Sequence, residues 1–186
     1  SLALAVQKNV PVKNMAELVA FSKAHPGKLN YISLGAANPV DLGVEALMKQ
    51  HGVSWTGIPF KGAADSTMAF LAGDVQLMFI TTLNVLAATA NGNGSVLFIT
   101  GEKRLEKQAQ IPTLAETGFN NPNVSGIWFG LIAPPGTPKH LREKLAKDIS
   151  EILKTPEIAK KAGDTGYELI GNLSLIHISE PTRPER

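Results

Sequence analysis

The sequence predicts an α/β fold on a parallel sheet, and three observations carry that expectation. Short apolar segments alternate with stretches of helical periodicity, small-residue loops lead from strand to helix, and caps or glycines stand where one pattern gives way to the other. The 186 residues, 44% hydrophobic and 18% charged, suffice for one domain or two small ones. Uninterrupted apolar runs are short, as at Ala69 to Ala72 and Leu131 to Ala133, whereas a membrane span needs roughly 20 apolar residues. No transmembrane helix is expected. Eighteen basic residues face sixteen acidic ones without any Lys/Arg block, so nucleic-acid binding is unsupported. The absence of cysteine removes disulfides, thiol catalysis and cysteine-ligated zinc and leaves the compartment open.

Leu2 to Val6 reads as a short strand, stopped before Pro11. Asn14 caps a helix with apolar positions at Met15, Leu18, Val19 and Phe21, and Glu17 completes a capping box. His25-Pro26-Gly27 ends it. Lys28 to Ser33 is the next strand; Gly35-Ala36-Ala37-Asn38-Pro39 is a small-residue loop opening a helix through Leu42, Ala46, Leu47 and Met48. The unit repeats, with Val53 to Phe60 as strand, Lys61-Gly62-Ala63-Ala64 as loop, Asp65 to Leu71 as helix and Val75 to Ile80 as strand. Thr81 and Thr82 precede a short helix from Leu83 to about Ala90, and Val96 to Thr100 is a further strand. Gly101 to Ala109 is a polar surface connection, and Pro112 to Gly118 gives one or two helical turns closed by glycine. Ile127 to Ala133 reads as a buried strand stopped by Pro134-Pro135-Gly136. Thr137 as cap and Pro138 as first residue open the longest helix, His140 to Leu153, with Leu141, Leu145, Ile149 and Ile152 on one face. Thr155-Pro156-Glu157 starts another helix, and Tyr167 to Ile170 is a short strand candidate. Neither end reads as a natural terminus. Ser1 to Val6 is too short for a signal peptide, and residues 173–186 resemble the translation of a transposase adapter and are set aside with His177.

Open α/β sheets bind ligands at the carboxyl ends of their strands, where helix N-termini present free N–H groups. Three segments have that character. Ser33, Gly35, Ala36, Ala37 and Asn38 form a strand end, a loop open to backbone approach and a helix start suited to a carboxylate or phosphate; a tight turn before a capped helix explains them equally well. The G-x-G-x-x-G and P-loop spacings are absent there. Phe60, Gly62 and Ala63 make the second segment, with Phe60 as a wall and Lys61 as an attractor of acids or simply a solvated side chain. Thr81 and Thr82 offer two hydroxyls at the third, as ligand contacts or as caps. His25, His51 and His140 sit at helix ends with no metal-ligand spacing. Asp41 and Glu45 share a helix face, but no acid–base pair or Gly-x-Ser-x-Gly elbow is evident. No cofactor, metal or catalytic residue is assigned.

Six motifs occur in order: Asn14-Met15-Ala16-Glu17-Leu18, Pro26-Gly27-Lys28-Leu29-Asn30-Tyr31, Pro59-Phe60-Lys61-Gly62, Leu71-Ala72-Gly73-Asp74-Val75 running on to Phe79, Pro112-Thr113-Leu114-Ala115-Glu116-Thr117-Gly118, and Phe129-Gly130-Leu131-Ile132-Ala133 running on to Pro138. Together they resemble the extracytoplasmic solute receptors of the tripartite tricarboxylate transporter family, the Bug receptors, over about residues 2 to 172. The resemblance implies a type II periplasmic-binding-protein-like two-lobed fold, present as a fragment. Residues 1–8 would be a hinge strand from a missing first lobe, 9–126 the second lobe, 127–172 the return strand with part of the first lobe, and 173–186 a non-native tail. It implies a periplasmic, monomeric receptor, not an enzyme, that captures a small organic acid and delivers it to the integral membrane subunits of the transporter. Its ligand contacts would be Ser33, Gly35, Ala36, Ala37, Asn38, Phe60, Gly62, Ala63, Thr81 and Thr82. The sequence departs from the family pattern at Ala37 and Asn38, at Asp41 where His is common, at Phe60 where Tyr is common, and after Ile80 where an acidic residue is frequent. The competing expectation is the effector-sensing domain of a LysR-type regulator, which an upstream helix-turn-helix would distinguish.

Overall fold

A computed structural model describes residues 1–171 apart from Ala37, Pro122, Asn123, Ser125, Trp128, Gly166 and Glu168; residues 172–186 lie outside it. Two compact units divide the chain, residues 1–127 and 128–186.

The first unit is built on a five-stranded sheet. Its strands are β1 (Leu2–Gln7), β2 (Asn30–Ser33), β3 (Thr56–Pro59), β4 (Leu77–Thr81) and β5 (Gly94–Ile99), in the order β3-β2-β4-β1-β5. Helices α1 (Met15–Ala24), α2 (Pro39–His51), α3 (Ala63–Ala72) and α4 (Thr82–Thr89) alternate with them. The sheet is mixed, which corrects the expected parallel one. β2 runs parallel to β3 and β4, whereas β1 lies antiparallel between β4 and β5, with Leu4 opposite Phe79 on one side and Phe98 on the other. Every residue of β1 is buried, as a strand with neighbours on both edges and cover on both faces should be. Phe79 and Phe98 meet with ring centroids 5.9 Å apart, and Phe70 of α3 is fully buried in the same core.

Local chemistry sets the helix starts. Asn14 accepts the Glu17 N–H at 2.9 Å, and the Glu17 carboxylate accepts the Lys13 N–H and the Asn14 side-chain amide, each at 2.8 Å, so the Asn14–Glu17 pair read as a capping box forms, with its return bond one residue before the cap. Asn38 caps α2 through the Val40 N–H at 3.0 Å, with Pro39 as the first helical residue. On the inner face of α1 the buried Ser22 hydroxyl accepts the Trp55 indole N–H at 2.9 Å and donates to the Leu18 carbonyl at 2.7 Å. Two polar groups are thereby satisfied inside an apolar layer.

The last turn of α2 carries a pH-sensitive contact. His51 packs edge-on against Phe119 at 4.9 Å, and its buried Nε2 has no hydrogen-bond partner among the described residues. Burial, and secondarily the Lys23 charge, push its pKa below the ordinary 6.5. Because the unfolded chain takes up the proton first, the stability His51 contributes is fully present above pH 6.5 and is lost as pH falls below that value toward its folded pKa. Urea midpoints measured between pH 7.5 and 5 should fall more steeply for wild type than for His51→Gln; parallel profiles would remove His51 from the cause.

The second unit contains α5 (Lys139–Leu153) and α6 (Pro156–Thr165). Two expectations change here. Pro138, not Thr137, occupies the cap position of α5, because the Thr137 hydroxyl donates backward to the Pro134 carbonyl at 2.7 Å. Residues 127–133 and 167–170, expected as strands, form none among the described residues. Phe129, Leu131 and Ile132 are 72, 71 and 81% exposed, and an apolar run becomes a strand only where another strand supplies the ladder. Leu141, Leu145 and Ile152 on the apolar stripe of α5 are likewise exposed.

Candidate ligand-binding edge

Because β2, β3 and β4 are parallel, their carboxyl ends, Ser33, Pro59 and Thr81, lie along one edge of the sheet, and Ser33 is in register with Pro59. Each strand leads directly into a helix, so the N-termini of α2, α3 and α4 converge there. The first-turn N–H groups that no side chain caps, with the aligned peptide dipoles behind them, give the edge positive potential without any arginine.

The three helix starts differ. The α2 start is capped by Asn38, and the loop before it is fastened from both sides. The Asn38 N–H donates to the Gly35 carbonyl at 2.8 Å, the Gly35 N–H to the Ser33 hydroxyl at 3.3 Å, and the Leu34 N–H to the Asp41 carboxylate at 2.8 Å. Gly35 sits at φ +113°, a conformation side-chain-bearing residues rarely adopt, and Gly35 and Ala36 are exposed. Ala37 lies outside the described residues. At α3, Gly62 occupies the cap position with extended backbone and no side chain to bond the helix amides; Lys61 and Ala63 are exposed and Phe60 is half-buried against the core. The Phe60 N–H donates to the Ser33 carbonyl at 2.9 Å, stitching the second loop to the first. At α4, Thr81 holds the cap position without a capping hydrogen bond.

Thr82, the first residue of α4, is already engaged within the protein. It is buried, its hydroxyl is 2.8 Å from the Ser1 hydroxyl, and its N–H donates to the Ser1 carbonyl at 3.2 Å. Antiparallel β1 starts at the edge where β4 ends and brings Ser1 onto it. Asp41 was legible as half of a helix-face pair with Glu45 and as a departure from the family pattern; its part in fastening Leu34 depends on a turn that spacing does not reveal. Beside it the buried Tyr31 phenol has its pKa raised, first by burial and then by the negative Asp41 and Glu45, and its ring is wedged against Gly57, where a Cβ would come within 3.0 Å. Among the described residues no group of three His, Cys, Asp or Glu side chains is placed to hold a metal ion. No helix of the described residues is long and apolar enough to cross a membrane. His25 stacks on Phe21 at the end of α1, before the start of β2, and does not join the edge; His140 lies at the start of α5 in the second unit.

Residues 1–174 match the sequence profile of the tripartite tricarboxylate transporter family receptor. The chain belongs to that family. These receptors are solute-binding proteins, not enzymes. A protein from the gbd 5′ region of Cupriavidus necator is 35% identical over 84% of this chain and 47% of its own length. The structure of the periplasmic binding protein BugD is 28% identical with a TM-score of 0.80, over 92% of this chain and 57% of that one. An R. palustris protein solved with adipate is 26% identical with a TM-score of 0.79, over 89% of this chain and 55% of that one. The tricarboxylate transporter receptor fragment thus has the fold of the periplasmic binding proteins and spans about half the length of the curated relatives it matches.

Proposed function

We propose that the whole protein is a periplasmic receptor that closes on a small organic acid and delivers it, as a monomer, to the integral membrane subunits of a tripartite tricarboxylate transporter. The observation that carries the reading is the convergence of three helix N-termini on one sheet edge, two of them without a capping side chain. A carboxylate is the group such an edge suits, since charge-assisted hydrogen bonds from oriented amides are the strong ones. The adipate held by the R. palustris relative fits the same chemistry.

In this reading residues 9–126 form one lobe, residues 1–8 and 127–133 are the hinge connections, and residues 134–172 belong to the other lobe. The ligand meets Ser33, Gly35, Ala36, Ala37 and Asn38 on one side, Phe60, Gly62 and Ala63 in the middle and Thr81 on the other; Thr82 serves as a support, its hydroxyl already engaged. Closure follows from the ligand binding the closed form better than the open one. In thermal unfolding of the full-length receptor, a cognate acid at 100 times its Kd should add about 2.7 kcal/mol of stability and reduce the radius of gyration in solution scattering. The corresponding primary amides should do neither. A panel of mono- and dicarboxylates that shifts neither quantity would refute the reading.

A further inference from the structure

Asp41 is the residue of the edge that carboxylate binding alone leaves unexplained. It lies in the first turn of α2, is 2% exposed, and no Lys, Arg or His forms an ion pair with it among the described residues. A buried carboxylate is unfavourable unless its oxygens are hydrogen-bonded. Asp41 satisfies that condition by accepting the Leu34 N–H at 2.8 Å, a bond to the loop and not to its own helix. Capping does not require it, because Asn38 already caps α2. The Tyr31 phenol from β2 bonds to it, and the Glu45 carboxylate lies one turn along α2; neither brings a positive charge. Directly behind Leu34, at the start of the loop that a ligand would meet, stands a buried acidic side chain with no cation beside it.

Resting on the receptor reading above, we propose that Asp41 is a positioning and specificity-determining residue: it holds Leu34, where the loop leaves β2, in place and makes that corner of the site reject a second anionic group on the ligand. The anionic end of the ligand then belongs at the uncapped starts of α3 and α4, and the end beside Gly35 is neutral. At an effective dielectric of about 20, one charge about 12 Å from another changes affinity by about tenfold.

The test uses the full-length receptor and three matched pairs of probes, hexanoate with adipate, butyrate with succinate, and 3-hydroxybutyrate with malate, titrated calorimetrically. Asp41→Asn keeps an oxygen for the Leu34 N–H and removes the charge. It should leave hydrogen exchange of the Leu34 amide as in wild type and raise the dicarboxylate-to-monocarboxylate affinity ratio about tenfold. Asp41→Ala should speed Leu34 exchange and weaken every probe. An affinity ratio within twofold of wild type in Asp41→Asn, or Leu34 exchange unchanged in Asp41→Ala, overturns the role of Asp41 while the receptor reading stands. Wild type that binds none of the six probes overturns both.

Discussion

Gly94→Val should destabilise the first unit by ~3 kcal/mol, lowering its thermal midpoint by about 10 °C. Gly94 begins β5 and pairs with Gln7 of β1. A Cβ built there would overlap the Val6 carbonyl oxygen and come within 2.9 Å of Phe70 Cζ. The ring could move only by disturbing a fully buried residue, and the carbonyl belongs to a strand held on both edges. Neither neighbour has a cheap way to yield, because close-packed interiors transmit such displacements. Gly62→Ala is the matched control. Its Cβ would meet nothing within 4 Å and its backbone is extended, with φ −177°, so its midpoint should stay near wild type. Equal midpoints for the two variants in chemical denaturation would show that the β1–β5 contact is looser than its geometry.

What was legible in the sequence divides along a physical line. Signals that act over a few residues were readable: the Asn14 capping box, the Asn38-Pro39 helix start and the glycine closing the turn at Gly118 all form where their chemistry predicts. Signals that depend on a distant partner were not. The residues of β1 carry the same apolar pattern in either direction, so its antiparallel insertion between β4 and β5 emerges only from pairing. Residues 127–133 are apolar enough to read as buried, yet apolarity states a preference for cover and does not supply the cover. The candidate edge shows the same split. Its loops were found because small residues between a strand and a helix are a local pattern, whereas the engagement of Thr82 by Ser1 and of Leu34 by Asp41 joins residues that only the folded chain brings together.

Gly62→Asp should move stability and binding in opposite directions. The extended backbone at Gly62 has the conformation of a helix cap, and the space beside it is open, so an aspartate fits without strain. Its carboxylate would accept the free amides of the first turn of α3 and complement the helix dipole, a gain of about 0.5 kcal/mol. Those same amides are the proposed seat of the ligand's carboxylate, and the substituted side chain would both occupy them and repel the incoming charge. Like-charge contact in a desolvated site costs several kcal/mol, so affinity for an organic acid should fall about 100-fold while the thermal midpoint holds or rises. Gly62→Asn separates the two causes, since it caps without charge; its affinity should lie between those of wild type and Gly62→Asp. Calorimetric titration of the three full-length proteins decides the matter. Undiminished binding in Gly62→Asp would place the anion away from α3 and leave the α4 start as the remaining uncapped helix at the edge. A matching loss in both variants would mean that occupation of the amides, not the field of the added charge, sets the affinity.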